Sequence, residues 1–541
     1  MRLNPPRSRS SRATPEPMSP RAVAARKAAF NRSAYERKLG AFIAEREEEL
    51  YQHGAGLHDE LALGPIYERH ASLFSRPPVD ELRRLLEAGG PDTGHHRALL
   101  AAATDGYIQR ATAALTDAVG TAEATAVVVW RGESIPYRGL HNRISEISGR
   151  AERNALYASY LEAEEQLNPM RQERLDRIGD LARELGYVDY VELIKTTRGF
   201  DPDQLATGVR DFLAESETPY FAALRRYLAR IEIEQGDASL ADLWFLMRGS
   251  GWDNWFDGRR ILAVLESTLR GLGIELRGQP GATLDVDARP NKSPRAFVAV
   301  VNAPTDVRLV IQPRGGWDDY GAVLHKAGHL EHFLHVDPRL PVSLRELGDG
   351  AVTEGYAMTL ERLLAEPAWL VEQLGMPEAH AASFADFYSL YHLVTLRTLA
   401  ARHLHELRIH RGGDAAVHRA TYAGLAGLLT GVREPEERYL TIDDGMYAAS
   451  YLRCFMLDAA LTDSLVARHG ETWWRSAAAG DTLKRAWNRG QGWTAEQVVA
   501  HLGYDSLDWR PVVRQIRAKL VGEMSGYGGP NITTRAGTRK V

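Results

Sequence analysis

The run VLHKAGHLEHFLH, residues 323–335, sets four histidines close together. His325 and His329 are four apart, the spacing that puts two imidazoles on one face of a helix, where both can reach one metal ion. At 100° per residue His332 falls on the same face, with Lys326 flanking it. In the H-E-x-x-H pattern of zinc-binding helices a glutamate follows the first histidine, and here that position is Lys326. Downstream, TEGYAMTLERLL (353–364) carries Glu354 and Glu361 one heptad apart, on one face of a second helix. Glu354 can complete a His₂Glu set around one Zn²⁺ per chain, leaving a position for water or substrate. Glu361 can orient a ligand histidine from outside the set, and His332 is a candidate for the same supporting layer. With 18 histidines in 541 residues, about 0.6 H-x-x-x-H pairs arise by chance, so the pair alone also reads as a polar stripe on a surface helix. The downstream carboxylates are what favour the metal.

These residues need elements to hold them. GGWDDYGAV offers Asp318 or Asp319 as N-cap of the histidine helix after two glycines, and Asp318 is a further candidate for the supporting layer. SLRELGDGAV (343–352) is a glycine-bearing loop joining the two helices, with Gly348 and Gly350 as candidate substrate-binding backbone. The β-branched runs AFVAVVN (296–302) and VRLVIQP (307–313), separated by a proline turn, predict a small sheet beside the histidine helix, as one wall of a cleft. Most other segments carry helical periodicity: 22–52, 149–187 with a break near Asn168-Pro169, 201–235 started by Asp201 before Pro202, and 385–412. The expected architecture is mostly α and two-lobed. Its parts are a tail at 1–21, a helical lobe at 22–200, a lobe at 201–522 that carries the metal site, and a tail at 523–541.

Composition sets bounds. A net charge of -5 supplies no global basic field for nucleic acid. The single cysteine, Cys454, excludes an internal disulfide framework and fits a cytoplasmic protein. The Arg-, Ser- and Pro-rich start lacks the apolar core of a signal peptide. No apolar run reaches membrane-spanning length. No fixed-period repeat and no Walker or Rossmann glycine motif is present. NIT at 531–533 matches a glycosylation sequon, which means little without a secretory signal.

HKAGHLEH followed by EGYAMTLE resembles the thimet oligopeptidase and oligoendopeptidase F group of gluzincin metallopeptidases. That group carries H-E-F-G-H-A-L-H, a glycine-rich loop, and a ligand glutamate opening E-x-P-S-Q-x-x-E. His325, Gly328, His329, His332 and both glutamates match, and the offset from His325 to Glu354 is 354 − 325 = 29. DDGMYAASYLRCF (443–455) is similar to the group's G-x-Y-x-x-x-Y segment, with Tyr447 and Tyr451 at the two tyrosines. The resemblance implies a helical metallopeptidase-like fold with a deep cleft, zinc on His325, His329 and Glu354, and tyrosines facing the substrate carbonyl. It implies a peptide or amino-acid-derived small molecule as ligand, with no nucleic-acid or membrane partner.

The departures bear on chemistry. As an ammonium, Lys326 has donors and no acceptor, so it cannot take a proton from water as the motif glutamate does. A unit charge about 5 Å from Zn²⁺ is disfavoured by roughly 6–7 kcal/mol at an effective dielectric near 20. Lys326 therefore either weakens metal binding or becomes an unusual base or nucleophile. The group's histidine before the first tyrosine aligns with Ile442, a third aromatic with Cys454, and the proline of E-x-P-S-Q with Tyr356. Arg453 is a candidate for a substrate carboxylate, but a structural ion pair is the better reading. Three functions follow: a zinc-binding family relative whose hydrolysis is lost or altered, an active oligopeptidase with another base, or a metal-free peptide-binding pseudoenzyme. Glu331, the nearest substitute base in sequence, sits well over 90° around the helix from the histidine face.

Overall fold

The computed structural model describes residues 30–520, so the tails expected at 1–21 and 523–541 lie outside it. Within it the chain is mostly helical, as the sequence predicts, with two small sheets where one was expected. Helix α1 (Arg32–Gly54) starts at Asn31, whose side chain accepts from the Ala34 N–H. Helices α2 (Thr93–Thr125) and α3 (Arg150–Glu184) follow. The break expected near Pro169 is absent, and α3 runs through it. An interior proline costs a helix about 3 kcal/mol. Leu167 and Leu175 are buried on either side, and Asn168 Nδ2 donates to the Glu437 carbonyl at 2.7 Å, so both halves are held in line. Helix α4 (Pro202–Ala229) begins as its sequence predicts, with the Asp201 carboxylate accepting from the Asp203 and Gln204 N–H groups.

Two strands, β1 (Val127–Trp130) and β2 (Glu133–Pro136), form an antiparallel hairpin the sequence reading did not anticipate. Its turn residues Arg131 and Gly132 both have positive φ. The second sheet has the order β3-β5-β4. Strands β4 (Phe297–Asn302) and β5 (Asp306–Val310) are the expected hairpin, and β3 (Ala282–Asp285) joins β5 in parallel.

From β5 the chain passes directly into the histidine helix, α5 (Trp317–Leu334). Its N-cap is Gly316 and not Asp318 or Asp319. Gly315 and Gly316 take left-handed φ of 90° and 96° and turn the chain into the helix. The Asp319 carboxylate instead accepts from the Arg314 and Gly315 N–H groups at 2.8 and 2.9 Å. The site helix α6 (Gly350–Glu361) packs on α5. Helix α7 (Glu378–Ile409) and helix α8 (Tyr447–His469) enclose the pair.

Two glycines set how closely these helices approach. A Cβ on Gly328 of α5 would lie 2.6 Å from Ala357 Cα of α6, and one on Gly355 of α6 would lie 2.7 Å from a Leu457 methyl of α8. Three chemistry-bearing helices thus meet at near-backbone contact. Among the described residues, no helix is long and apolar enough to cross a membrane.

Candidate metal centre

His325 and His329 project from α5 toward Glu354 on α6. His325 Nε2 lies 3.1 Å from Glu354 Oε2 and 3.2 Å from His329 Nε2, and His329 Nε2 lies 3.7 Å from the same oxygen. Tetrahedral ligands about 2.0–2.1 Å from a zinc ion are separated by about 3.3 Å, so this triangle has the dimensions of one face of such a site. All three residues are buried, and together they form a group that can hold a divalent metal ion.

The other ring nitrogens are held too. His325 Nδ1–H donates to Glu361 Oε2 at 2.8 Å, and Tyr388 of α7 donates its hydroxyl to Glu361 Oε1 at 3.0 Å. His329 Nδ1 and His332 Nδ1 both meet the hydroxyl of Thr353, at 3.0 and 3.2 Å. Tyr447, at the start of α8, donates to Glu354 Oε1 at 2.8 Å, and the Tyr451 ring stands edge-on to it at 5.1 Å.

Electrostatics show what the cluster needs. Burial opposes a charged His325, yet Glu354 and Glu361 outweigh it and raise the imidazole to about 9. Burial opposes a charged Glu354 as well, but hydrogen bonds from His325 and His329 hold it far below the ordinary carboxylate range. His329 is pushed down to about 4 by burial, so its ring is neutral, as a ligand must be. The His325 ring thus stands between Glu354 and Glu361, and the proton on its Nε2 meets Glu354 where a cation fits. The donor set suits a metal.

A cavity of about 400 Å³ opens beside the cluster. Lys326, His329, Thr353, Tyr447, Gly348 and Gly350 line it on one side, and Phe297, Val298 and Val300 of β4 form an apolar wall. The Lys326 ammonium is disfavoured by burial, opposed by Glu354 and Glu361 and reinforced by Arg295. Asp105 of α2 and Arg198, ion-paired at 2.7 Å, close another wall that the sequence reading missed.

Other expectations need correction. Arg453 is not free for a substrate: it is buried, and its guanidinium grips Asp349 at 2.7–2.8 Å and Glu496 at 2.7–3.0 Å. Glu496 belongs to helix α9 (Ala495–Leu502), so the arginine ties α8 to the loop ahead of α6. Asp318 is exposed and hydrogen-bonds none of the three cluster residues, because the helix start lies nearly two turns from His325. Glu331 is fully buried and accepts from Gln279 at 2.8 Å, away from the cavity. His335 is half-buried beside Trp487. Thr353 and Tyr388 were missed, since only tertiary packing brings them to the histidines and to Glu361.

No protein-family model matches the chain, and no curated protein matches it in sequence. Solved structures do match in fold. The M32 carboxypeptidase from Deinococcus radiodurans R1 is 16% identical, with a TM-score of 0.56 over 90% of this chain and 97% of that one. A structure described as an oligoendopeptidase F is 13% identical, with a TM-score of 0.61 over 94% and 96%. Metallocarboxypeptidase 1 from Trypanosoma cruzi is 14% identical, with a TM-score of 0.59 over 90% and 99%. The likeness therefore reaches M32 carboxypeptidases as well as the oligopeptidase group that the sequence resembles. Over nearly its whole described length, the chain carries the helical fold of these metallopeptidases.

Proposed function

We propose that this chain holds one zinc ion on His325, His329 and Glu354 and binds a peptide-like or amino-acid-derived ligand, with ordinary peptide hydrolysis lost or altered. The carrying observation is the triangle of ligand atoms at 3.1, 3.2 and 3.7 Å, with a lysine lining the cavity in place of the motif glutamate. When bound, zinc supplies Lewis acidity toward a carbonyl or a water. Hydrolysis also needs an acceptor for the water proton. Glu354 belongs to the ligand set, and Glu361 is occupied by His325 and Tyr388. Glu331 is buried elsewhere. Glu346 lines the outer cavity, but it accepts from the Ala303 N–H and the nearby charges are Arg345, Glu47 and Arg46. Glu354, Glu361 and Glu331 are thus committed, and Glu346 holds its Oε1 on the Ala303 N–H. Lys326 instead brings a cation to that side, while Tyr447 and Tyr451 contact the ligand's polar end. Gly348 and Gly350 leave backbone room along the same cavity.

The test is elemental analysis of purified wild type and Lys326→Glu, with both assayed on a peptide library. One zinc per chain in both, with cleavage arising only in the variant, is the expected result. Absence of zinc from both refutes the metal assignment and leaves a metal-free binding protein. Equal cleavage by both refutes the loss of hydrolysis.

A further inference from the structure

His329 and His332 sit three apart on α5, and the hydroxyl of Thr353 on α6 lies between their Nδ1 atoms, at 3.0 and 3.2 Å. All three side chains are away from solvent or at the cavity's inner wall, and His332 is fully buried. The hydroxyl has one proton to give and lone pairs to accept with. If His329 is to present a lone pair at Nε2, its one ring proton must reside on Nδ1. That N–H then donates to Thr353 Oγ1. The threonine proton is then available to donate to His332 Nδ1, with His332 as the Nε2–H tautomer beside the Gly490 backbone.

We propose that Thr353 is a positioning residue: its hydroxyl joins His329 to His332 in a one-way hydrogen-bond chain that holds the His329 Nε2 lone pair toward the metal position. His325 has a carboxylate, Glu361, for this task. His329 has no carboxylate on its Nδ1, and a neutral alcohol backed by a second histidine takes that role. Because an alcohol can donate or accept, it fixes a tautomer only when its own proton is committed, and His332 supplies that commitment. His332 thereby gains a purpose that its burial alone does not explain.

The inference rests on the metal-binding reading, and one experiment separates the two. Zinc affinity is measured by competition with a chromogenic chelator for wild type, Thr353→Val, Thr353→Ser and His332→Phe, alongside thermal melting of each metal-free protein. Outer partners of ligand histidines are worth about 10–100-fold in affinity. The expected result is a loss of that size in Thr353→Val, recovery in Thr353→Ser, and a smaller loss in His332→Phe, with metal-free melting of the serine variant matching wild type. Zinc binding by wild type with equal affinity in Thr353→Val overturns the role of Thr353 while leaving the metal site standing. Failure of wild type to bind zinc overturns the reading beneath both. Should Thr353→Val not fold, Thr353→Ala in the same assay carries the test, and undiminished affinity there overturns the proposal equally.

Discussion

At the scale of single residues, the site is a set of imidazoles whose ring protons are assigned by neighbours. Glu361 is the strongest of these, accepting from His325 at 2.8 Å while Tyr388 holds its second oxygen at 3.0 Å. A charged acceptor both orients the ring and raises its basicity. Glu361→Gln keeps the shape and removes the charge, and zinc affinity is expected to fall about 10–100-fold with one-to-one stoichiometry retained. Chelator competition reads this directly, and an unchanged affinity would show that Glu361 is not what orients His325. The pairing of His325 with His329 and of Glu354 with Glu361 was legible in the sequence because helical spacing fixes which side chains share a face, and the family resemblance joined the two pairs. Thr353 was not, because a threonine beside a ligand glutamate carries no periodic signal. Its role exists only once α6 lies on α5. Arg453 was legible as a structural ion pair, but its partners Asp349 and Glu496 were not, because both lie far from it in sequence.

At the scale of elements, the centre depends on how closely α5, α6 and α8 approach. Gly328 is the contact point of the two ligand-bearing helices, and an added methyl would meet Ala357 Cα at 2.6 Å and its carbonyl oxygen at 3.0 Å. Both partners are backbone, so nothing flexible can yield. Gly328→Ala is expected to destabilise the protein by about 1–3 kcal/mol, the usual cost of overpacking. It should also weaken zinc binding, since Glu354 moves with α6. Urea melts and chelator titrations on the same sample decide the matter: a stable variant with full affinity would mean the helices have slack. The sequence made the helices and the β4–β5 hairpin readable through their periods. It hid what tertiary context supplies: β3 has only four residues and pairs with a strand more than twenty positions away. Helix α3 runs through Pro169 because packing on both sides outweighs a local rule. The β1–β2 hairpin does carry a local signal, Arg131-Gly132 at its turn.

At the scale of the whole molecule, α3, α7 and the lead-in to α8 are joined around a buried acid. Glu406 of α7 is fully buried and accepts from the Asp443 N–H at 3.0 Å. Arg402 pairs with Asp443 at 2.8 Å, and Arg174 of α3 reaches Asp444 at 2.9 Å. Three residues later the chain enters α8 at Tyr447, so this junction sets the approach of the tyrosine that touches Glu354. Burial, reinforced by Asp443 and Asp444 and opposed by the Asp443 N–H and Arg402, raises Glu406 to about 8 from an ordinary value of 4.5. Between those values the folded chain keeps a proton that the unfolded chain releases. The stabilisation is therefore fully present below pH 4.5 and is lost as pH rises through 8. Glu406→Gln mimics the protonated acid and cannot titrate. Its stability should match wild type near pH 5 and exceed it by about 1–3 kcal/mol near pH 8. Denaturant melts of metal-free protein at the two pH values measure this, since zinc would add its own pH dependence through His325. If wild type and variant lose stability in parallel between the two, Glu406 is already ionised in the fold. The carboxylate would then need a cation, and Arg402, four residues earlier on α7, would have to leave Asp443 to provide it, loosening the segment that leads into Tyr447.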